Sequence, residues 1–380
     1  MRLLLALLLA LGLWAGQSAA QPVSTFVQAI AASGGSSVIN NIQYGSVTIS
    51  AATSATTTIT SVNTSNAILF PLGYTSTHNA TTGYEQGSPR LELTNATTVT
   101  AYLNTTNTGE TVVANFVVVE FASGNVNSIQ AGSFTLASGS TSTTQTITSV
   151  GSCSIAINLG WTINGSGMSS VQQAMGLELT NSTTLTGYKD QTSNAITVGY
   201  MVADLGAAIC TSATNYKKVL SGNTSATWTQ TLSPTVTANN ALLIFNGCTA
   251  GSGASNFPSW GTYTTLTNGS TVTGTRTTTG SLSQNCLFMV WDIPGSVLNS
   301  AAQEGLADTK TNPSVTNTIT SVSTTKTVLT DNGIAPAASA VLQTVRQRTT
   351  LTNATTVTTQ AIAQGGSSSI TTDWRLVEFK

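Results

Sequence analysis

Four landmark strings recur along this chain in one order and at one period, and no other feature constrains the fold as tightly. Leu93-Thr94-Asn95 returns as Leu179-Thr180-Asn181, Leu266-Thr267-Asn268 and Leu351-Thr352-Asn353, at spacings of 86, 87 and 85 residues. Val118-Val119-Glu120-Phe121 returns as Val202-Ala203-Asp204-Leu205, Val290-Trp291-Asp292-Ile293 and Leu376-Val377-Glu378-Phe379. Ile59-Thr60-Ser61-Val62 returns as Ile147–Val150, more loosely as Ser233–Val236, and as Ile319–Val322. The fourth landmark is a glycine, Gly73, Gly160, Gly247 and Gly333, expected to close a strand. Units of twenty to forty residues must stack to bury a core, but one of this length can fold alone. The expected division is 42–128, 129–217, 218–305 and 306–380, with 21–41 as a polar leader.

Inside the first repeat the strand-like runs are Val47–Ile49, Thr57–Val62, Ala67–Leu72, Leu91–Leu93, Thr98–Leu103 and Val112–Phe121. Pro71 with Gly73, Gly87 to Pro89, Asn95, and Asn107 to Gly109 punctuate them. Threonine, which favours strands over helices, supplies 71 of the 380 residues. Short strands with such turn signals predict an all-β chain of four tandem antiparallel β-sandwich domains, jelly-roll or Ig-like. The last strand of each repeat carries an aromatic four residues before its acid: Phe116, Tyr200, Phe288 and Trp374. Apolar residues on both faces predict a central strand, covered by its own second sheet and by a loop, the next repeat or another chain.

The chain carries 12 basic and 13 acidic residues, and only 7% of it is charged. Nucleic acid is excluded as a partner, since binding it needs a basic surface that displaces counterions. Arg2, the apolar run Leu3–Trp14 and Ser18-Ala19-Ala20 predict a secretory signal peptide over residues 1–20. No later segment is long and apolar enough to be expected as a transmembrane anchor. The expected location is secreted, extracellular or at the cell surface.

Chemistry-bearing motifs are sparse. Glu120, Asp204, Asp292 and Glu378, with Glu92 and Glu178 on the Leu-Glu-Leu strands, are the candidate carboxylates for acid–base work. The structural alternative makes each periodic acid a strand end that faces solvent and pairs with cations such as Arg90 or Arg276. His78 is the single histidine and has no metal or nucleophile motif around it. Asp331-Asn332-Gly333 lacks the further acids of a calcium loop and reads as a turn. No catalytic residue, metal or cofactor is expected, and the chain is not read as an enzyme.

Nine sequons offer possible glycosylation sites at Asn63, Asn79, Asn95, Asn104, Asn164, Asn181, Asn223, Asn268 and Asn353. Four of them are the Leu-Thr-Asn landmark, where Asn also suits a turn. The stretch between the landmark glycine and Leu-Thr-Asn differs most between repeats and carries the candidate ligand-binding aromatics Tyr74, Tyr84, Trp161, Phe257, Trp260 and Tyr263. These rings either stack on a sugar or dock a partner, or fold back as lids on their own cores. Cysteine chemistry follows from the frame. If the third strand, ending at the glycine, and the last strand, ending at the acid, are antiparallel neighbours, the pairs are Cys153–Cys210 and Cys248–Cys286.

The order Ile42-Gln43-x-Gly45-x-x-Thr48-Ile49, Ile59–Val62, Leu93-Thr94-Asn95-Ala96-Thr97-Thr98-Val99-Thr100 and Val118–Phe121 resembles a repeat of tailed-bacteriophage structural proteins. Ile129-Gln130-x-Gly132-x-x-Thr135-Leu136 opens the second repeat in the same way. The resemblance implies a β-rich tail or virion-surface component without catalysis, here behind a signal peptide. Together these features predict an exported, non-enzymatic structural or adhesive protein: a surface layer, stalk or filament subunit whose partner is itself. The alternative is a carbohydrate- or receptor-binding module using the variable loops of repeats 1–3, with surface glycans as partner.

Overall fold

A computed structural model describes residues 37–77, 89–104, 111–164, 175–190, 192, 194–220, 226–249, 261–276, 284–309, 313–336, 346–361 and 370–380. The signal peptide, most of the leader and His78 lie outside the described residues. Six strands recur four times. The first repeat gives β1 (Ile39–Ser50), β2 (Ser54–Thr58), β3 (Ala67–Ser76), β4 (Arg90–Asn95), β5 (Thr98–Tyr102) and β6 (Thr111–Phe121). The second gives β7 (Val126–Leu136), β8 (Ser142–Thr146), β9 (Ser154–Asn164), β10 (Met175–Asn181), β11 (Thr184–Lys189) and β12 (Ala195–Leu205). The third gives β13 (Ser212–Leu220), β14 (Thr227–Thr231), β15 (Ala241–Cys248), β16 (Tyr263–Asn268), β17 (Thr271–Thr275) and β18 (Gln284–Asp292). The fourth gives β19 (Gln303–Asp308), β20 (Ser314–Thr318), β21 (Thr327–Pro336), β22 (Gln347–Asn353), β23 (Thr356–Ala361) and β24 (Ile370–Glu378).

The expected division is displaced at all four starts, that of the second repeat by β7 beginning at Val126, ahead of 129. β1 starts at Ile39, inside the stretch expected as leader. β13 starts at Ser212, ahead of residue 218, and β19 starts at Gln303, ahead of 306. The signal that opens repeats 1 and 2, Gln-x-Gly, has become Thr214-x-Tyr216 in the third repeat, so its first strand was hidden in the sequence. Ile59–Val62 is not strand either; it crosses between the two sheets after β2 ends.

Within each repeat the first, sixth and third strands pair antiparallel, and so do the second, fifth and fourth. The sixth strand is thus central, as its two apolar faces require. The aromatics are equivalent: Gly45 lies opposite Phe116, Gly132 opposite Tyr200, Tyr216 opposite Phe288 and Gly305 opposite Trp374. A Cβ on Gly45 would lie 2.5 Å from Phe116 Cζ, and one on Gly305 2.6 Å from Trp374 Cζ2, so the glycine makes room for the ring. In the third repeat Tyr216 instead stacks on Phe288, with centroids 5.4 Å apart.

The sheets do not stop at the repeat boundaries, and here the structure departs from four tandem sandwich domains. The fourth strand of one repeat lies beside the third strand of the next: Arg90 opposite Gly160, Tyr263 opposite Gly333, and Arg348 of the last repeat opposite Gly73 of the first. Between repeats 2 and 3, Gly247 packs on the Met175 carbonyl in the same way. Three six-stranded and two three-stranded antiparallel sheets result, set like propeller blades around an axis where β3, β9, β15 and β21 meet in turn. Neither a jelly roll nor an Ig sandwich shares its sheets like this. One apolar cluster draws residues from all four repeats, and a second fills the space between the two sheets of the third. The second cover of the central strand is therefore the neighbouring repeat. The Leu69 N–H points to Met201 Sδ at 3.3 Å, the Ala156 N–H to Met289 Sδ at 2.9 Å, and Arg375 Nε donates to the Ala241 carbonyl at 2.6 Å.

The landmark glycines sit inside their strands, not at strand ends. Each has a left-handed φ, +76° at Gly73, +92° at Gly160, +100° at Gly247 and +96° at Gly333, and marks a break in register against the sixth strand. Such a bulge re-aims the strand. Each Cβ would also run into a backbone carbonyl of the adjacent repeat, those of Gln347, Pro89, Met175 and Thr262 respectively.

Candidate functional site

The two ends of the ring differ in what they hold. At one end the landmarks bind each other. The Asn side chain of Leu-Thr-Asn accepts the N–H two residues on, at 2.9 Å in Asn95, Asn181 and Asn353 and 2.8 Å in Asn268. The turn carbonyls beyond it accept Ile59 and Val62 N–H, with equivalents in every repeat. The periodic acids hold the same crossing segment. Glu120 accepts the Asn63 N–H at 2.9 Å, Glu378 the Ser323 N–H at 2.7 Å and Asp292 the Thr237 N–H at 3.3 Å, while Asp204 accepts from the Ser154 hydroxyl at 3.3 Å. Among the described residues they form no ion pair with arginine of the kind expected; Arg90 pairs with Glu92 at 3.1 Å. Glu178 accepts from Tyr188 at 2.6 Å. A carboxylate that accepts backbone N–H groups of the crossing segment is a structural fastener, and no second carboxylate faces it in a catalytic arrangement among the described residues.

The sequons divide by the same geometry. Asn63, Asn95, Asn164, Asn181, Asn268 and Asn353 are exposed and Asn104 is half-buried, while Asn79 and Asn223 lie outside the described residues. The two disulfides are Cys153–Cys210 and Cys248–Cys286. Cys248–Cys286 joins the third and sixth strands directly, while Cys153, just before β9, is bonded to Cys210, in the connection beyond β12, at the opposite end of the same pair of strands, the placement expected from strand adjacency.

At the other end the third strands finish and the sixth begin, with Ser76 opposite Val112. All four variable connections between third and fourth strands leave from this end. Here a cavity of about 180 Å³ lies on the axis, bordered by all four landmark glycines. Two residues before each glycine stand Pro71, Asn158, Phe245 and Asp331, so apolar and polar side chains alternate around the ring. Tyr74 and Trp161, each one residue after its glycine, complete the upper wall. Leu91, Ala114 and Leu159 make the remainder apolar.

The polar groups of the wall are mostly spoken for. Asn158 accepts the Gly160 N–H at 3.0 Å and donates to the Asn246 carbonyl at 3.1 Å. The Trp161 Nε1 is buried without a hydrogen-bond partner, so what its ring offers the cavity is carbon surface. Asp331 accepts the Gly333 N–H at 3.1 Å, the Thr349 hydroxyl at 3.2 Å and the Thr372 hydroxyl at 3.4 Å. Burial pushes its carboxyl up to about 6 against these bonds, and no cation pairs with it among the described residues. The Asp331-Asn332-Gly333 segment is thus strand with a bulge, not a turn.

Of the aromatics expected at a ligand site, Tyr74 and Trp161 meet at the cavity. Tyr263 lies in β16 opposite Gly333 and does not border it, and Tyr84, Phe257 and Trp260 lie outside the described residues. Sequence reading missed Pro71, Asn158, Phe245 and Asp331. Their shared place, two residues before the landmark glycine, was the available signal. Groups of three or more His, Cys, Asp or Glu placed to hold a metal are absent among the described residues. No helix there is long and apolar enough to cross a membrane. No protein-family model matches this chain, and no curated protein matches it.

Proposed function

We propose that this chain is an exported, non-enzymatic adhesive protein that recognises a surface glycan or receptor at the cavity end of its ring. The observation that carries this reading is the division of labour between the ends. The repeated residues tie the frame together at one end, while the third strands, which lead into the segments that vary between repeats, finish around the axial cavity at the other. Fixed frames with variable connections are where recognition evolves. Two disulfides and a signal-peptide-like start support an oxidising, extracellular setting. The likeness of the repeat strings to tailed-phage structural repeats supports a non-catalytic role.

A second reading, a surface-layer or filament subunit that partners itself, draws on the short Thr-rich second strands. β8 and β20 are outer strands of their sheets, with a row of backbone groups open to pairing. Growth through the third-to-fourth-strand joint is closed off, because the last repeat already occupies the first. A glycan array on the mature chain, with a Trp161→Ala/Trp260→Ala double variant, tests the first reading, and electron microscopy tests the second. Array binding lost in a variant that melts normally supports adhesion. Ordered sheets or filaments without array binding replace it with assembly.

A further inference from the structure

We infer that the axial cavity binds a small organic cation of the quaternary-ammonium type. Three features of the wall point to this chemistry. Trp161 and Phe245 offer ring surface from two different repeats, and aromatic surfaces attract cations that have little water to lose. Asp331 supplies one carboxylate with no counter-ion among the described residues. The rest of the lining is apolar, and the amide of Asn158 is already bonded within the wall.

Those same features disfavour a whole sugar ring inside the cavity. A pyranose would bring several hydroxyls against a wall with almost nothing left to bond them, and buried polar groups without partners are costly. A trimethylammonium group has no hydrogen-bonding atom to satisfy, and its charge finds Asp331. A cavity of about 180 Å³ has room for one such group, since a cavity of about 150 Å³ admits benzene.

The neighbouring arginines and Asp373 stand outside the cavity wall. Tyr74 already carries the Arg346 guanidinium, 5.4 Å from its ring centroid, so Trp161 and Phe245 are the rings left for a ligand. From β22, Arg348 donates to Asn115 Oδ1 at 3.5 Å. From β24, Asp373 accepts from Asn332 and Thr265, and Arg375 is held by Glu304 and two carbonyls of the third repeat. β3 and β15 bring Tyr74 and Phe245 and no further charge. None of these arginines borders the cavity.

Isothermal titration calorimetry on the mature chain tests this, with choline as probe and its uncharged carbon isostere, dimethylbutanol, as control. Choline is expected to bind at least about tenfold more tightly than the isostere, the difference one desolvated cation interaction makes. Asp331→Asn, close in shape to the native residue, should cost about tenfold in choline affinity without lowering the melting temperature at neutral pH. Trp161→Phe should keep most of the affinity and Trp161→Leu should lose it. Affinity in the native chain should fall as pH drops through about 6, where Asp331 takes up its proton. Equal binding of choline and the isostere, no heat with either at millimolar concentration, or an unchanged affinity in a folded Asp331→Asn chain would each overturn the assignment.

Discussion

Gly73 of the first repeat lies directly against the Gln347 carbonyl of the last. This contact converts a linear series of four repeats into a closed ring. It repeats the contact that Gly160, Gly247 and Gly333 make with the repeat before each of them. An interface whose rotation closes stops growing, and this one closes within a single chain after four copies. Tyr44 reinforces the seam by donating to the Thr327 carbonyl at 2.7 Å.

Gly73→Ala is therefore expected to be among the more damaging single substitutions in the chain. The left-handed φ costs an ordinary residue about 1–2 kcal/mol, and forcing a methyl into a filled site typically adds about 1–3 kcal/mol. Gly124, with φ +86° and nothing within 4 Å of where a Cβ would stand, isolates the first effect. Urea midpoints should drop much further for Gly73→Ala than for Gly124→Ala. Equal drops would show that the joint carries no packing constraint.

The ring was half legible in the sequence. The period and the centrality of the sixth strand follow from Glu120 and its copies, because an acid, an aromatic and a two-residue alternation fix a face, whereas the full strand order does not. The cysteine pairs follow from the same strand adjacency. The closure does not, because it rests on Gly73 meeting a backbone carbonyl, and a carbonyl leaves no mark in the sequence. The cavity was hidden for a related reason. Its lining differs in every repeat, from Pro71 to Asn158 to Phe245 to Asp331, so the residues that matter are those that do not repeat.

Glu378 tests the fastener role of the periodic acids. It accepts the Ser323 N–H at 2.7 Å and Asn299 Nδ2 at 2.9 Å, and is almost fully buried. Glu378→Ala should leave those donors unsatisfied and cost about 1–3 kcal/mol. Glu378→Gln, which keeps an acceptor, should cost distinctly less. Thermal melts of both variants check the order, and array binding at the far end of the ring should not change in either.

The disulfides should contribute separately. They close stretches of 57 and 38 residues. In the chain-entropy model each is worth about 4 kcal/mol, the longer loop slightly more. Cys153→Ser/Cys210→Ser and Cys248→Ser/Cys286→Ser should each lower the urea midpoint, and the two losses should add, because the bonds lie in different repeats. A loss confined to the first pair would show that the cross-strand ladder between β15 and β18 holds that repeat without its bond.

Stability should also depend on pH in a direction opposite to simple acid denaturation. Asp373 is pushed up to about 7, first by burial, with Glu304 adding to it and Arg375, Asn332 and Thr265 opposing it. Asp331 is pushed up to about 6 by burial. In the unfolded chain both revert to about 3.9. Between these limits the folded chain binds more protons than the unfolded one, so stability must fall as pH rises. The contribution is fully present below about pH 4, declines through the interval, and is gone once pH exceeds about 7. Each group sets a slope of at most about 1.4 kcal/mol per pH unit. Replacing both residues by Asn removes the titration while keeping side-chain shape. The difference in unfolding free energy between native and doubly substituted chains, measured by urea denaturation at several pH values, should shrink toward the acid end and widen toward neutrality in favour of the variant. A difference independent of pH would mean that both carboxyls titrate alike in the folded and unfolded chains.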